Sequence, residues 1–207
     1  MAIKESSDEL NPTVVTADAS LPPRPARSLK DYIALAIATC GVGYLPLAPG
    51  TWGSLLAVGI YLGLQTFVFG FVRARAGENS VLLLAPTVIF IAAELVLITI
   101  ITLMGIWAAT RAEKLLGKKD PGRVVIDEVA GQLIAFLPIL PKLDPGWVSI
   151  IVAFVTFRLF DIVKPYPARR LEKLESGLGI MSDDIVAGAY AGVVTAVAIA
   201  VAFWVIN

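Results

Sequence analysis

Hydrophobic residues dominate the chain in four long runs, and the polar residues are concentrated between them. The runs are Leu55–Val72 with 18 uncharged residues, Val81–Ala109 with one charge at Glu94, Trp147–Val163, and Ile185–Ile206 with 22 uncharged residues. About 20 apolar residues are needed to cross the hydrocarbon core of a bilayer. Three runs suit this length and Trp147–Val163 is marginal, so the pattern predicts an all-α, polytopic membrane protein.

Two shorter apolar segments decide how many crossings we expect. Val129–Leu140 contains Pro138, and Tyr32–Cys40 precedes a glycine-rich stretch. With Val129–Leu140 as a short fifth crossing, thirteen Lys and Arg residues fall on one side and three on the other, whereas four crossings give ten to six. Because basic residues are enriched in cytoplasmic loops, we expect about five crossings with a cytoplasmic N-terminus. Tyr32–Cys40 is then an interfacial or re-entrant helix.

Composition and charge agree with a membrane protein. Residues 1–28 are polar and contain four prolines, which predicts a disordered tail before a single helical domain at 29–207. Hydrophobic residues make up 57% of the chain and charged residues 16%, against about 25% charged in soluble proteins. The formal net charge is zero, so no global field attracts nucleic acid. The sequence leaves the oligomeric state open.

The chain contains no histidine, and its one cysteine is Cys40. This excludes Ser-His-Asp and Cys-His catalysis, histidine-ligated zinc and phosphohistidine chemistry. A phosphatase cysteine followed by arginine six residues later is also excluded, because that position is Pro46. Carboxylates, Lys, Arg, Ser, Thr and a hard metal ion remain as candidate catalytic groups.

Most of the carboxylates outside the tail cluster in two polar segments that the topology places at one end of the crossings. Asp127 and Glu128 fall in the first turn of the short crossing. Asp183 and Asp184 are predicted in the first turn of the last crossing, with Ser182 as its N-cap. A third segment at the same end, residues 41–54, carries no charge but is rich in Gly, Pro and hydroxyl groups.

Arg158, Asp161 and Lys164 are spaced to share one helix face, and Pro165 is predicted to end that helix. Carboxylates crowded at three helix ends raise the free energy unless a cation lies between them. A divalent cation, with Mg²⁺ best suited to a phosphate site, is the simplest solution. Simpler interpretations are helix-start carboxylates, an Arg158–Asp161 ion pair and an interfacial Lys164. Glu94 is isolated from these clusters, which favours a structural role.

Four motifs, in order along the chain, together resemble the phosphatidylglycerophosphatase A family. They are Leu45–Ser54 (LPLAPGTWGS), Asp127–Gly131 (DEVAG), Phe157–Pro167 (FRLFDIVKPYP) and Gly179–Gly188 (GIMSDDIVAG). The resemblance extends from about Leu29 to the C-terminus and implies an all-helical fold. It also implies a multi-pass, Mg²⁺-dependent lipid phosphatase of the bacterial inner membrane, which hydrolyses the terminal phosphate of phosphatidylglycerophosphate.

The resemblance and the clustering together lead to a hypothesis for the site. Carboxylates would supply the Mg²⁺ ligands and the base, Arg158 and Lys164 would pair with phosphate oxygens, and residues at the start of the first crossing would cradle the phosphate. The metal candidates are Asp127, Glu128, Asp161, Asp183 and Asp184; the catalytic candidates are Asp127, Glu128, Asp161, Lys164 and Asp184; and the substrate-binding candidates are Gly50, Thr51, Ser54 and Arg158.

Alternative functions make distinguishable demands on the sequence. A CDP-alcohol phosphotransferase needs several Asp residues at helical spacing, including an Asp-Gly pair, and no Asp here is followed by Gly. An ion-coupled transporter would place polar residues near the middle of several crossings, as Glu94, Arg158 and Asp161 could do. A scaffold without catalysis leaves the carboxylates unexplained. Whether water or an Asp attacks phosphorus stays open, with the absence of a D-x-D pattern favouring water.

Overall fold

A computed structural model of the protein describes residues 27–76, 84–141 and 146–206. Most of the expected tail, the start of the second run and the segment around Lys142 lie outside these ranges. Within them the chain is helical and contains no strand. The α-helices, in order, are α1 (Leu29–Thr39), α2 (Pro49–Ala76), α3 (Leu84–Leu116), α4 (Ile126–Phe136), α5 (Trp147–Val163), α6 (Ala168–Leu171) and α7 (Ser176–Ile206).

Three of the described helices, α2, α3 and α7, are long and apolar enough to cross a bilayer. Their candidate spans are Pro49–Arg75, Ala85–Leu116 and Ser176–Val205. Large apolar side chains such as Phe67, Leu103 and Phe203 are exposed on them. Exposed apolar surface of this extent is costly in water and stable against lipid. The all-helical membrane fold is therefore confirmed in its coarse form, with three helices of spanning length.

Helix α4 is short and lies at the centre of the bundle, where it packs against α2, α3, α5 and α7. Its 11 residues extend about 16 Å, roughly half of the hydrocarbon core. Nearly all of its side chains are buried, and Phe136 near its end packs against Tyr61 of α2. The predicted short segment is thus a helix, although it and the 17-residue α5 fall below the length of a full span.

Glycines allow α4 to approach α7 closely. A Cβ atom on Gly188 would lie 2.3 Å from the backbone oxygen of Gly131, and a Cβ on Gly131 would lie 2.6 Å from the backbone oxygen of Asp184. Since heavy atoms do not approach this closely, only glycine permits the contact. The contact holds the first turn of α4 beside the second and third turns of α7, where the acidic residues lie.

Helix α1 covers the end of α3 nearest these acidic residues. Arg111 Nε donates a hydrogen bond of 2.6 Å to Asp31, while Ala34 and Ala38 are buried against α3. Hydrogen bonds from Ser28, together with Arg111, lower the pKa of Asp31. Tyr32 is exposed on the opposite side of α1. The helix expected at Tyr32–Cys40 is present, shifted to Leu29–Thr39, and its depth in the bilayer stays a prediction.

Two local predictions have opposite outcomes. The helix carrying Arg158 ends at Val163, as predicted from Pro165, and Lys164 adopts a left-handed conformation. The predictions that Ser182 caps the last helix and that Asp183 and Asp184 lie in its first turn are wrong, because α7 begins six residues before Ser182, at Ser176. Inside the helix, the Ser182 hydroxyl donates to the Leu178 carbonyl instead. The polar residues that precede the last apolar run are thus part of the same helix, which begins before the apolar segment.

Candidate active site

Three carboxylates from two helices meet at one end of the bundle. Asp127 and Glu128 occupy the first turn of α4, and Asp184 lies in α7. One oxygen from each side chain lies within 4.8 Å of the others, close enough for all three to bind a single metal ion. We call these residues the carboxylate triad. The clustering of Asp127, Glu128 and Asp184 that the sequence suggested is therefore present.

Buried oxygen atoms of the triad lack protein partners. Asp127 Oδ1 and Glu128 Oε2 are inaccessible and accept no hydrogen bond from the described residues. Asp127 and Asp184 are 8% and 3% exposed, so bulk water does not solvate them freely. A buried carboxylate without a partner is costly, and hard divalent cations take such oxygens as ligands. The donor set therefore fits a hard divalent cation.

Arg158 of α5 lies beside the triad, between two carboxylates. Its Nη1 atom is 2.7 Å from Asp161 Oδ2, one turn later on the same helix, and 4.0 Å from Glu128 Oε1. The Arg158–Asp161 ion pair, which the sequence offered as a simpler interpretation of these residues, is therefore present and adjoins the triad. Asp161 is paired to a cation here, whereas Asp127 and Asp184 have no ion pair among the described residues.

Lys164 forms a second cationic position on the other side of the site. Its Nζ atom donates to Asp183 Oδ2 at 2.6 Å and lies 3.2 Å from Glu172 Oε1. Burial opposes the charge on Lys164, but the two carboxylates outweigh it and raise the pKa of the ammonium group. Lys164 thus stays protonated near neutral pH. Asp183, expected as a metal ligand, is engaged by this lysine in the structure.

The start of α2 closes the site from a third side. A Cβ atom on Gly50 would lie 2.1 Å from Glu128 Oε1 and 3.0 Å from Arg158 Nη1, so a side chain at this position would displace Glu128 and crowd Arg158. Ser54, one turn further, is fully buried with no hydrogen-bond partner for Oγ among the described residues. Gly50 is therefore placed at the cluster as expected. Thr51 is half-buried beside it, without a side-chain contact that assigns it a role.

A cavity of about 560 Å³, which we call the active-site cavity, opens from the triad toward the polar loops. Its volume falls within the range of about 300–1,000 Å³ typical of small-molecule sites. The wall combines acidic and basic groups from four segments. It is lined by Lys119, Asp120, Gly122, Val124, Asp127, Glu128, Asp161, Lys164, Glu172, Lys173, Ser176, Ile180, Asp183 and Asp184.

Several residues of this region are not predicted from the sequence. Glu172, which binds Lys164, lies in a polar loop where no spacing singles it out. Gln132 is fully buried on α4 one turn after Glu128, and neither atom of its amide group has a hydrogen-bond partner among the described residues. The only sign of Gln132 in the sequence is an amide side chain four residues after Glu128, a candidate metal ligand. Glu94 of α3 is 1% exposed and does not line the cavity.

Comparison with known proteins adds independent information. The family model described as phosphatidylglycerophosphatase A matches residues 35–199. A Bacteroides thetaiotaomicron protein named "Putative phosphatidylinositol-3-phosphatase" is 39% identical over 81% of this chain and 91% of its own length. Proteins named phosphatidylglycerophosphatase A from Haemophilus influenzae and Escherichia coli are 36% and 34% identical, over 86% and 72% of this chain and 94% and 72% of theirs. No solved structure matches.

Proposed function

Because this chain belongs to the phosphatidylglycerophosphatase A family, we propose that its active-site cavity hydrolyses the terminal phosphomonoester of phosphatidylglycerophosphate to phosphatidylglycerol. The single observation that carries the assignment of the site is the meeting of Asp127, Glu128 and Asp184. The family favours a phosphomonoester hydrolase over a CDP-alcohol phosphotransferase or an ion-coupled transporter.

Mg²⁺ is the proposed cofactor, with the carboxylate triad as its ligands. When bound, the ion would polarise a phosphoryl oxygen and make a bound water more acidic. The unpartnered oxygens of Asp127 and Glu128 support this assignment. Asp161 and Asp183, the other predicted metal ligands, line the same cavity, but each already forms an ion pair with a basic side chain. We therefore assign them to positioning Arg158 and Lys164.

The basic side chains of Arg158 and Lys164 bind the phosphate. Arg158 keeps donors beyond the Nη1 group that faces Asp161, and a guanidinium group binds phosphate oxygens in pairs. Lys164 holds its proton tightly, so it stabilises negative charge rather than acting as a proton donor. A triad carboxylate accepts a proton as water attacks phosphorus. The bond from phosphorus to the glycerol oxygen then breaks, and that oxygen takes up a proton to give the alcohol.

The site lies where α2 and α4 begin and α5 ends, beside α7 near its start. This position supports a catalytic centre at the membrane interface, where it meets the phosphate of a lipid whose acyl chains stay in the bilayer. The excess of Lys and Arg on this side supports a cytoplasmic orientation in the bacterial inner membrane. In this arrangement α4 and α5 enter the bilayer as a pair and return to the same side, which keeps the polar loops on one side, as in the five-crossing prediction.

Purified protein in mixed micelles tests the proposal. We expect release of inorganic phosphate from phosphatidylglycerophosphate with Mg²⁺, loss of release with a chelator, and recovery on adding Mg²⁺ back. Because one relative is named for phosphatidylinositol 3-phosphate, that lipid is assayed in parallel. The Glu175→Gln variant is the control, since Glu175 is exposed and does not line the cavity. Mg²⁺-independent release, or no release from phosphatidylglycerophosphate, would overturn the proposal.

A further inference from the structure

The cations of the active-site cavity fall into two groups. Arg158 lies next to the triad and Lys164 on the cavity wall, and both are held by carboxylates. Lys119, in the loop after α3, and Lys173, in the segment after α6, line the same cavity and are exposed. No carboxylate of the described residues lies within ion-pair distance of either one. The cavity wall thus carries two lysines, from different loops, that form no ion pair with a described carboxylate, although Asp120 and Glu172 line the same wall.

The proposed substrate has a second phosphate that the triad does not accommodate. In phosphatidylglycerophosphate, a three-carbon glycerol separates the terminal phosphomonoester from the phosphodiester that joins the headgroup to diacylglycerol. In phosphatidylinositol 3-phosphate, the phosphodiester and the monoester also occupy carbons separated by one further carbon. With the monoester at the buried triad, the phosphodiester must lie a few ångströms outward in the same cavity. The cavity volume leaves room for such a headgroup.

We propose that Lys119 and Lys173 bind this phosphodiester and select lipids that carry both a phosphomonoester and a phosphodiester. This inference rests on the proposed function and names the specificity determinants of that site. An ammonium group on a flexible stem suits a singly charged phosphodiester, which needs a point charge rather than bidentate contact. Phosphatidic acid, which carries only a monoester, gains nothing from these lysines.

The test measures hydrolysis of phosphatidylglycerophosphate by the full-length Lys119→Ala, Lys173→Ala and double variants. We expect the double variant to raise KM about tenfold with kcat within about twofold, since exposed ion pairs contribute modestly to binding. Two lipids serve as competing ligands. In the double variant, the inhibition constant of phosphatidylglycerol, which has only the phosphodiester, should rise by about the same factor as KM. The inhibition constant of phosphatidic acid should stay unchanged.

The Lys118→Ala variant is the matched control, because Lys118 is exposed beside Lys119 and does not line the cavity. An equal effect of this variant, or equal weakening of both competing lipids, would show general attraction to anionic lipid and overturn the inference. An unchanged KM in the double variant of an active enzyme would overturn it as well. Inactivity of the wild-type protein on phosphatidylglycerophosphate would instead reject the proposed function.

Discussion

At the residue scale, the carboxylate triad raises a question of electrostatic balance. Two unit charges 4 Å apart repel by about 4 kcal/mol at an effective dielectric constant near 20. The N-terminus of α4 offsets only about 0.3–1 kcal/mol for each carboxylate in its first turn. Arg158 lies beside Glu128, but no described cation pairs with Asp127 or Asp184. The helix dipole alone is therefore too weak, and the proposed divalent cation would supply the compensation.

Replacing Asp127 by Asn should lower the activity without lowering the thermal stability of the protein. We expect Asp127→Asn to lower the rate of phosphate release about 100-fold or more, as for other groups that stabilise charge in a transition state. Its thermal unfolding temperature without metal should be equal to or above that of wild type, because one repulsive charge is lost. Mg²⁺ should stabilise wild type more than the variant. A variant that stays active, or that unfolds on purification, would contradict this role.

Gly50→Ala tests the close contact at the start of α2. The new methyl group would overlap Glu128 Oε1, so Glu128 and Arg158 must shift and activity should fall at least about tenfold. Gly59→Ala is the control, since a Cβ on Gly59 of the same helix meets nothing within 4 Å. That variant should keep full activity and gain slightly in stability. Equal activity of both variants would argue against this contact.

At the element scale, α4 is the structural centre of the site. It contributes two members of the triad, and nearly all of its side chains are buried by neighbouring helices. The backbone contact at Gly131 and Gly188 sets its distance from α7 and therefore the distance of Asp127 from Asp184. A change in this contact is transmitted to the triad, because packed helices move as rigid units.

Gly188→Ala should disturb this contact more than Gly192→Ala. The first methyl group would lie 2.3 Å from the Gly131 oxygen, whereas the second would be 3.4 Å from the Ile134 oxygen, one turn further along the same interface. We expect Gly188→Ala to destabilise the protein by about 1–3 kcal/mol and to lower activity. Thermal unfolding in detergent and phosphate release measure the two effects. Similar behaviour of the two variants would contradict the proposed role of Gly188.

At the scale of the whole molecule, the polar groups and the apolar surfaces are spatially separated. Helices α2, α3 and α7 expose large apolar side chains along their length, while the cavity opens among polar loops at one end. Arg73 and Arg75 lie at the other end of α2. This polarity supports the proposed position of the chemistry at one membrane surface.

Accessibility of single cysteines tests the orientation. Burial raises the pKa of Cys40 to about 11, so this thiol should react slowly with maleimide, and Cys40→Ser gives a clean background. In intact spheroplasts, an impermeant maleimide should label Arg75→Cys, whereas Lys118→Cys should react only after permeabilisation. Activity confirms that each variant is folded. Labelling of both positions from the same side would contradict the expected topology.

The sequence by itself determined the class of protein and the candidate groups. Long uncharged runs require lipid contact whatever their partners are, and the absence of histidine restricts the chemistry to carboxylates and cations. The acidic positions, including Asp127, Glu128 and Asp184, were identifiable because charge is costly beside a membrane segment.

Tertiary structure decided how these groups are paired. It brought Asp127, Glu128 and Asp184 together, joined Asp183 to Lys164, and recruited Glu172 from a loop. The Arg158–Asp161 pair, in contrast, follows from the spacing of the two residues within α5. Spacing along the chain fixes the face of a helix on which a residue lies. Which faces then meet depends on backbone approach between helices distant in sequence, here at Gly131 and Gly188, and only the packed structure specifies that approach.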